Sequence, residues 1–145
     1  MGAGGASGSI GLQGFEYAQD EAVLDDAGFA IRWTPVFCHG HRATRLGTFG
    51  NDSIWGGPGR NVIVALSGDD AIWARGSDDI VCGSRGRDSV WAGIGDDVVW
   101  GEFGADVIYG GHDADALNGG GGQDVCYGNS GLDVQTSCEH SSSVP

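Results

Sequence analysis

The amino-acid sequence predicts an all-β fold: a right-handed parallel β-roll, which is a solenoid with five turns of two nonapeptides each, together with a short N-terminal cap. Three observations predict it. Residues 47–136 divide into ten nonapeptides without an insertion, the sixth position is Asp in all but one, and the eighth position is aliphatic in eight. Repetition at a fixed period indicates a solenoid, in which each repeat packs on its neighbours.

Each nonapeptide divides into a turn and a strand. The first six residues are rich in glycine, which permits positive φ values, and the last three are β-branched or aromatic residues that favour a short strand. Within that strand the eighth side chain points away from the seventh and ninth. Because only the eighth position is consistently apolar, we expect it to form the core. The eighth positions are Ile54, Ile63, Ile72, Val81, Val90, Val99, Ile108, Leu117, Cys126 and Gln135.

The sixth positions predict cation sites along both edges of the roll. With two nonapeptides per turn, the loops of odd-numbered repeats stack on one edge (the odd edge) and those of even-numbered repeats on the other (the even edge). Carboxylates stacked about 5 Å apart repel by roughly 3 kcal/mol per pair at an effective dielectric constant near 20. Oxygen ligands from carboxylates and loop carbonyls suit Ca²⁺. The predicted ligands are Asp52, Asp70, Asp88, Asp106 and Asp124 on the odd edge, and Asp79, Asp97, Asp115 and Asp133 on the even edge.

Repeats such as GEFGADVIY and GGGGQDVCY resemble the calcium-binding nonapeptide GGxGxDxUx of the RTX (hemolysin-type) proteins. The resemblance covers residues 47–136. It implies that each ion lies between loop n and loop n+2, so that ten loops offer up to about eight calcium sites, four on each edge. Repeats two to four are degenerate, with Asn61 at the second sixth position, whereas repeats five to ten keep every Asp. We therefore expect the better sites in the C-terminal half.

Two other interpretations of the repeats are weaker. A disordered linker rich in Gly and Asp is compatible with the composition, but the strict register and the apolar eighth position argue against it. A parallel β-helix without calcium is the second alternative, because pentapeptide and hexapeptide solenoids also repeat. Such solenoids do not require Asp at every ninth residue.

Composition limits the classes of partner. The formal net charge is −13, and the segment from Asp88 to Pro145 contains ten acidic residues and no Lys or Arg. Charge-driven binding to nucleic acid or to an anionic membrane surface is therefore not expected, and no apolar run is long enough for membrane insertion. The N-terminus has no legible signal peptide. An even number of cysteines and a need for calcium still favour an extracellular or cell-surface location.

The flanking segments carry weaker signals. Residues 1–27 are predicted to be a flexible N-terminal segment with a short helix over 15–27. Residues 28–46, in which Phe29, Ile31 and Trp33 alternate with other residues, are predicted to contain a strand and to cap the open end of the roll. Residues 137–145 are predicted to be a closing tail.

The ninth positions of the odd repeats form a second pattern, an aromatic ladder on one sheet. Its five residues are Trp55, Trp73, Trp91, Tyr109 and Tyr127. One interpretation is self-stacking that stiffens the sheet, with the N-terminal segment lying over it. The alternative function is that of an adhesin or binding domain, whose aromatic face would take carbohydrate, a protein partner or a second copy of the chain.

The four cysteines predict two disulfides. Cys126 points inward in the last odd repeat, and residues 137–138 cross the same end of the roll, so we expect Cys126 to pair with Cys138. Cys38 and Cys82 then pair by elimination.

No catalytic arrangement is recognisable in the sequence. His39 and His41 could hint at a metal, but histidines in a Gly-flanked loop are more often simply exposed. No Ser-His-Asp or Cys-His arrangement is supported, and a β-roll of this size offers no cleft for acid–base catalysis. We predict a protein without enzymatic activity.

Overall fold

The structure is a computed structural model that describes the backbone of residues 21–24 and 31–144 and the side chains of residues 35–139. These residues contain strands but no helix, and hence no helix suited to crossing a membrane. In chain order the strands are β1 Glu21–Leu24, β2 Ile31–Thr34, β3 Phe37–Cys38, β4 His41–Arg42, β5 Arg45–Leu46, β6 Ser53–Trp55, β7 Val62–Val64, β8 Ala71–Trp73, β9 Ile80–Arg85, β10 Ser89–Ile94, β11 Val98–Phe103, β12 Val107–His112, β13 Ala116–Asn118, β14 Val125–Ser130, β15 Val134–Thr136 and β16 His140–Val144.

Two parallel six-stranded sheets make up most of the molecule. The first sheet has the order β6-β8-β10-β12-β14-β16, and the second has the order β5-β7-β9-β11-β13-β15. From β5 to β15, paired residues are 18 apart in the sequence, as in Val90 with Ile108 and Val99 with Leu117. Every loop thus carries the chain from one sheet to the other, and the predicted all-β solenoid of about five turns is confirmed.

The core is one side chain wide, as the eighth positions predicted. From Ile54 to Cys126 each of these side chains is at most 9% exposed, and Gln135 is half-buried. The small first-position residues Ala65, Ala74 and Ala92 join the same cluster. Burial of one aliphatic side chain per nine residues is modest, so the apolar core alone gives this roll little stability.

The loops require positive φ at their second and fourth positions. Glu102 and Gly104 in the seventh repeat have φ values of 79° and 119°. A Cβ on Gly104 would collide with the carbonyl oxygen of Gly86 in the loop below, so glycine is required there by contact as well as by conformation. Ser77 and Asp113 take the fourth position without glycine and keep φ values of 77° and 79°.

The roll is larger than predicted in two respects. Strands β9 to β12 and β14 have six residues rather than three, because they continue into the first three positions of the next nonapeptide. Each sheet also gains one strand beyond residues 47–136, since β5 pairs with β7 and β16 pairs with β14. Arg45 lies in register with the inward Ile63, and its Nε donates a hydrogen bond to Oδ1 of Asn61 at 3.4 Å.

The N-terminal segment differs from the prediction. The helix expected over 15–27 does not form at residues 21–24, which are strand β1 and pair antiparallel with β2; residues 15–20 and 25–27 lie outside the described part of the chain. The hairpin β3–β4 packs on the outer face of the second sheet rather than over the open end of the roll. The apolar cluster beneath it consists of Cys38, Ala43, Val62, Val64, Ile80 and Cys82.

Both predicted disulfides are present. Cys38 joins the hairpin to Cys82 on the outer face of the second sheet, across 44 residues of chain. Cys126 joins the inside of the last odd repeat to Cys138, 12 residues later. The two bridges therefore fasten the segments at either end of the repeats to the solenoid.

We expect the core to be sensitive to truncation at an eighth position. Ile108→Ala removes buried methyl groups from a fully covered site and should lower the free energy of unfolding in calcium by about 3 kcal/mol. The matched control is Ile94→Ala, because the Ile94 side chain is 59% exposed and its truncation should change stability by less than about 0.5 kcal/mol. Equal losses in urea unfolding of the two variants would contradict the assignment of the core.

Candidate metal centre

The sixth-position carboxylates lie inside the loops, between successive turns. Seven of them are at most 3% exposed, whereas Asp52 and Asp133, at the two ends of the columns, are half-buried. The seven buried carboxylates belong to Asp70, Asp79, Asp88, Asp97, Asp106, Asp115 and Asp124. Burial of so many carboxylates is unfavourable unless each oxygen has a partner.

One oxygen of each buried carboxylate has such a partner. Oδ1 of Asp106 accepts the backbone N–H of Asp88 at 2.8 Å, and Oδ1 of Asp124 accepts that of Asp106 at 2.9 Å. The even edge repeats the pattern, with Oδ1 of Asp115 accepting the N–H of Asp97 at 2.9 Å. Each carboxylate therefore ties its own loop to the loop 18 residues earlier.

The other oxygen has no hydrogen-bond partner within the chain. This holds for Oδ2 of eight residues, namely Asp70, Asp79, Asp88, Asp97, Asp106, Asp115, Asp124 and Asp133. A buried carboxylate oxygen without a donor costs several kcal/mol as an anion. A bound cation would remove that cost, so the donor set fits a metal ion.

Loop carbonyls converge on the same places. A Cβ on Gly101 would lie 2.5 Å from Oδ2 of Asp106 and 2.8 Å from the carbonyl oxygen of Gly119, which opens the next loop on the odd edge. On the even edge, a Cβ on Gly110 would lie 2.5 Å from Oδ2 of Asp115 and 3.0 Å from the carbonyl oxygen of Gly128. Each unpartnered carboxylate oxygen thus shares its surroundings with a carbonyl of the following loop, and both are hard oxygen ligands.

The electrostatics of the columns agree with this geometry. Loss of hydration on burial is the largest cause of a raised pKa at each of these carboxyls, and the charge of a neighbouring acidic residue adds to it at most of them. The pKa is raised to about 6 for Asp70 and Asp79, to about 8 for Asp88 and Asp97, and to about 7 for Asp106 and Asp115, and it is also raised for Asp124. Without a cation, the carboxylates in the middle of each column favour a bound proton near neutral pH.

The first loop on each edge is closed by its own side chains. Both oxygens of Asp52 accept hydrogen bonds from Thr48, from its N–H at 2.7 Å and its hydroxyl at 2.8 Å and 3.0 Å. In the second repeat the amide nitrogen of Asn61 donates to the carbonyl oxygens of Gly57 at 3.2 Å and Gly59 at 2.7 Å. The Asn61 amide thus serves loop oxygens that a cation would otherwise contact.

The sequence analysis missed one carboxylate in the odd column. Oε1 of Glu139 accepts the N–H of Asp124 at 2.7 Å, the role that Oδ1 of the next Asp has elsewhere. Glu139 follows Asp124 by 15 residues instead of 18, so the nine-residue period does not reveal it. A carboxylate shortly after the last repeat was the available signal.

The aromatic ladder forms on the outer face of the first sheet. Its rings are nearly parallel, with centroid separations of 4.9 Å for Trp55–Trp73, 5.1 Å for Trp73–Trp91, 5.7 Å for Trp91–Tyr109 and 5.1 Å for Tyr109–Tyr127. Most ring faces therefore lie against another ring of the ladder, which favours the self-stacking interpretation. The described part of the N-terminal segment packs on the opposite sheet, so it does not lie over the ladder.

The histidines that raised the question of a second metal do not come together. His39 stacks on Trp100 with a centroid separation of 4.0 Å, and its Nε2 lies 3.6 Å from Oε2 of Glu102. Sulfur of Cys82 lies within 4.8 Å of these ligand atoms, but it is bonded to Cys38. His41 is not part of this group, which we interpret as a packing contact of the hairpin.

Comparison with known proteins agrees with the geometry. The family model described as the RTX calcium-binding nonapeptide repeat (4 copies) matches overlapping stretches at residues 46–70, 55–90, 76–108, 83–117, 91–126 and 100–134. No curated protein and no solved structure gives a significant match. The matched stretches together cover more than half of the 145 residues. The chain, a β-solenoid with two columns of buried Asp, belongs to the RTX calcium-binding nonapeptide repeat family.

Proposed function

We propose that the protein is a calcium-binding structural or interaction module whose roll folds when Ca²⁺ binds between loops 18 residues apart. The observation that supports it most is the set of buried Oδ2 atoms without a hydrogen-bond partner. The proposed ligands are the carboxylates of Asp52, Asp70, Asp79, Asp88, Asp97, Asp106, Asp115, Asp124 and Asp133, together with loop carbonyls.

Calcium suits this donor set better than other common ions do. The loops offer carboxylate and carbonyl oxygens and no sulfur or imidazole ligand, which disfavours zinc and copper. Mg²⁺ requires near-ideal octahedral geometry with short bonds and gives up its water reluctantly. Ca²⁺ accepts six to eight oxygens at varied angles, which a glycine-rich loop can supply.

We propose up to about eight ions, four on each edge, with unequal affinities. Six gaps begin with a carboxylate from Asp70 to Asp115 whose Oδ2 is unpartnered, and these are the strongest candidates. The gaps that begin with Asp52 and Asn61 have side chains already hydrogen-bonded within their own loops. We expect those two gaps to bind calcium more weakly than the rest.

Calcium binding and folding are coupled in this proposal. Without the ion, each column holds carboxylates about 5 Å apart, which repel by roughly 3 kcal/mol per pair. Ordering the 29 glycines costs much conformational entropy, and the core returns only one aliphatic side chain per repeat. Because the site exists only in the folded chain, the free energy of ion binding becomes free energy of folding.

The proposed location is extracellular or at the cell surface, and the proposed role is not catalytic. Two disulfides and loops that need a high calcium concentration both suit an oxidising, calcium-rich environment. The only carboxylate pairs with raised pKa values belong, among the described residues, to the proposed metal columns. An adhesin role would use the exposed edge of the aromatic ladder, on which a protein partner or a second copy fits better than carbohydrate, because the ring faces are stacked.

Removal of calcium should unfold the roll. In chelator we expect the far-UV circular dichroism of a largely unfolded chain, and a cooperative gain of β-structure when millimolar Ca²⁺ is added. Mg²⁺ at the same concentration should have a much smaller effect. Equal β-structure in calcium and in chelator would refute the coupling of folding to calcium.

Asp106→Asn should reduce the number of calcium ions bound and the stability in calcium. Asn keeps an oxygen that can accept the N–H of Asp88 but lacks the charge. The control is Asp96→Asn, an exposed fifth-position residue whose Oδ1 accepts the N–H of Ala114. We expect isothermal titration calorimetry to find fewer ions for the first variant and an unchanged number for the second; identical stoichiometries would contradict the ligand assignment.

The raised pKa values predict opposite effects of pH with and without calcium. Without calcium, a carboxyl whose folded pKa lies above its unfolded value near 3.8 stabilises the folded state at low pH, and this contribution disappears as pH rises through about 6 to 8. Any compact state in chelator should therefore be more stable at pH 5 than at pH 8. With calcium, protons compete for the same oxygens, so affinity should be lower at pH 5 than at pH 8, with protons released on binding. Calorimetry in buffers of different ionisation enthalpy measures that release, and its absence would contradict the protonation of the metal-free columns.

A further inference from the structure

The last loop on the odd edge has an unexplained buried charge. Asp124 is fully buried, and its Oδ2 has no hydrogen-bond partner. Elsewhere on this edge such an oxygen faces the next nonapeptide loop. No nonapeptide follows the ninth repeat on the odd edge, because the tenth repeat ends at Thr136. The site that would neutralise Asp124 must therefore involve the closing segment.

The closing segment begins as a nonapeptide loop would. Ser137 follows Gly119 by 18 residues, and the backbone N–H of Gly119 donates to the Thr136 carbonyl at 3.0 Å. A Cβ on Gly119 would lie 2.7 Å from Oδ2 of Asp124 and would also collide with the carbonyl oxygen of Ser137. This is the arrangement seen at Gly101, where the two oxygens come from Asp106 and Gly119. The Ser137 carbonyl thus takes the place of a first-position loop carbonyl.

The closing segment also ends as a nonapeptide loop would, but three residues early. Glu139 accepts the N–H of Asp124 on Oε1 at 2.7 Å and donates its own N–H to the Asp124 carbonyl at 2.9 Å. The next residue, His140, is paired with Val125 at the start of β16. Glu139 therefore stands level with Asp124, and its side chain, longer than Asp by one methylene, spans a loop contracted from six residues to three.

We propose that the ninth-repeat loop and the closing segment 137–139 form an additional calcium site outside the nonapeptides. Its protein ligands are Oδ2 of Asp124, the carbonyl oxygen of Ser137 and the carboxylate of Glu139. The proposal rests on the calcium-binding function proposed above. A three-residue loop has fewer carbonyls than a six-residue loop, and Glu139 is exposed, so water completes the coordination and this site fills after the inner ones.

This site has a structural consequence. β16 pairs only with β14 among the described strands, and it is reached directly from Glu139. An ion held by Asp124 and Glu139 fixes the start of β16 on the edge of the first sheet. Docking of residues 140–144 is therefore dependent on calcium, in addition to the disulfide between Cys126 and Cys138.

The test counts bound ions in three proteins with intact disulfides. Native mass spectrometry in calcium compares the wild type with Glu139→Gln and with the control Glu102→Gln. Gln at position 139 keeps an oxygen to accept the Asp124 N–H while losing the negative charge. Gln at position 102 makes the same change of charge on the odd edge, at a second-position residue whose carboxylate lies beside His39. We expect Glu139→Gln to bind one ion fewer than the wild type, and Glu102→Gln to bind the wild-type number.

The outcomes separate this site from the general function. A wild type that binds several ions, with Glu139→Gln binding the same number, would overturn the additional site and leave the proposed function intact; that result would assign a proton rather than an ion to Asp124. A wild type that binds none would refute both.

A second measurement needs no variant. In a calcium titration of the wild type followed by amide hydrogen exchange, protection of β16 should rise at a higher calcium concentration than protection of β10. Protection of β16 that does not depend on calcium would overturn the site even if Glu139→Gln failed to fold.

Discussion

The hydrogen bond from a sixth-position N–H to the carboxylate 18 residues later is the interaction on which the rest of the structure depends. It sets the register between successive turns, since Asp88 bonds to Asp106 and Asp106 to Asp124. It also draws the carboxylate out of water and leaves its second oxygen without a donor. The group that aligns the strands therefore creates the demand for positive charge. In a roll with so thin a core, structure and metal binding cannot be separated.

The demand is unequal along the chain. Thr48 and Asn61 satisfy the first loop on each edge with donors of the protein itself, and all seven basic residues precede Asp88. The hairpin and its disulfide to Cys82 cover the second sheet near the same end. The N-terminal turns thus have several sources of stability that the C-terminal turns lack, and the C-terminal turns depend most on bound cations.

Most of the solenoid could be predicted from the sequence because every repeat makes the same contacts with its neighbours. The period placed Val90 and Val99 in the core and Trp73 beside Trp91, and the structure has them there. The features that were missed depend on departures from the period or on distant contacts. Glu139 reaches the odd column through a loop shortened by three residues, and the face covered by the hairpin is set by packing around Cys82 rather than by local pattern. The helix expected over 15–27 depended on a weak apolar face, and pairing with β2 determines the conformation of residues 21–24 instead.

The two sheets are not equivalent, and this restricts how such a chain can change its length. The first sheet carries the aromatic ladder on its outer face, while the second accepts the hairpin and Cys82. Loss or duplication of a single nonapeptide would exchange the sheets for every later strand, ending the ladder at the break and sending Tyr109 and Tyr127 to the hairpin side. It would also join the odd column of carboxylates to the even one. Insertion or deletion of 18 residues preserves both patterns, so the heritable unit of growth for this molecule is the whole turn and not the repeat visible in its sequence.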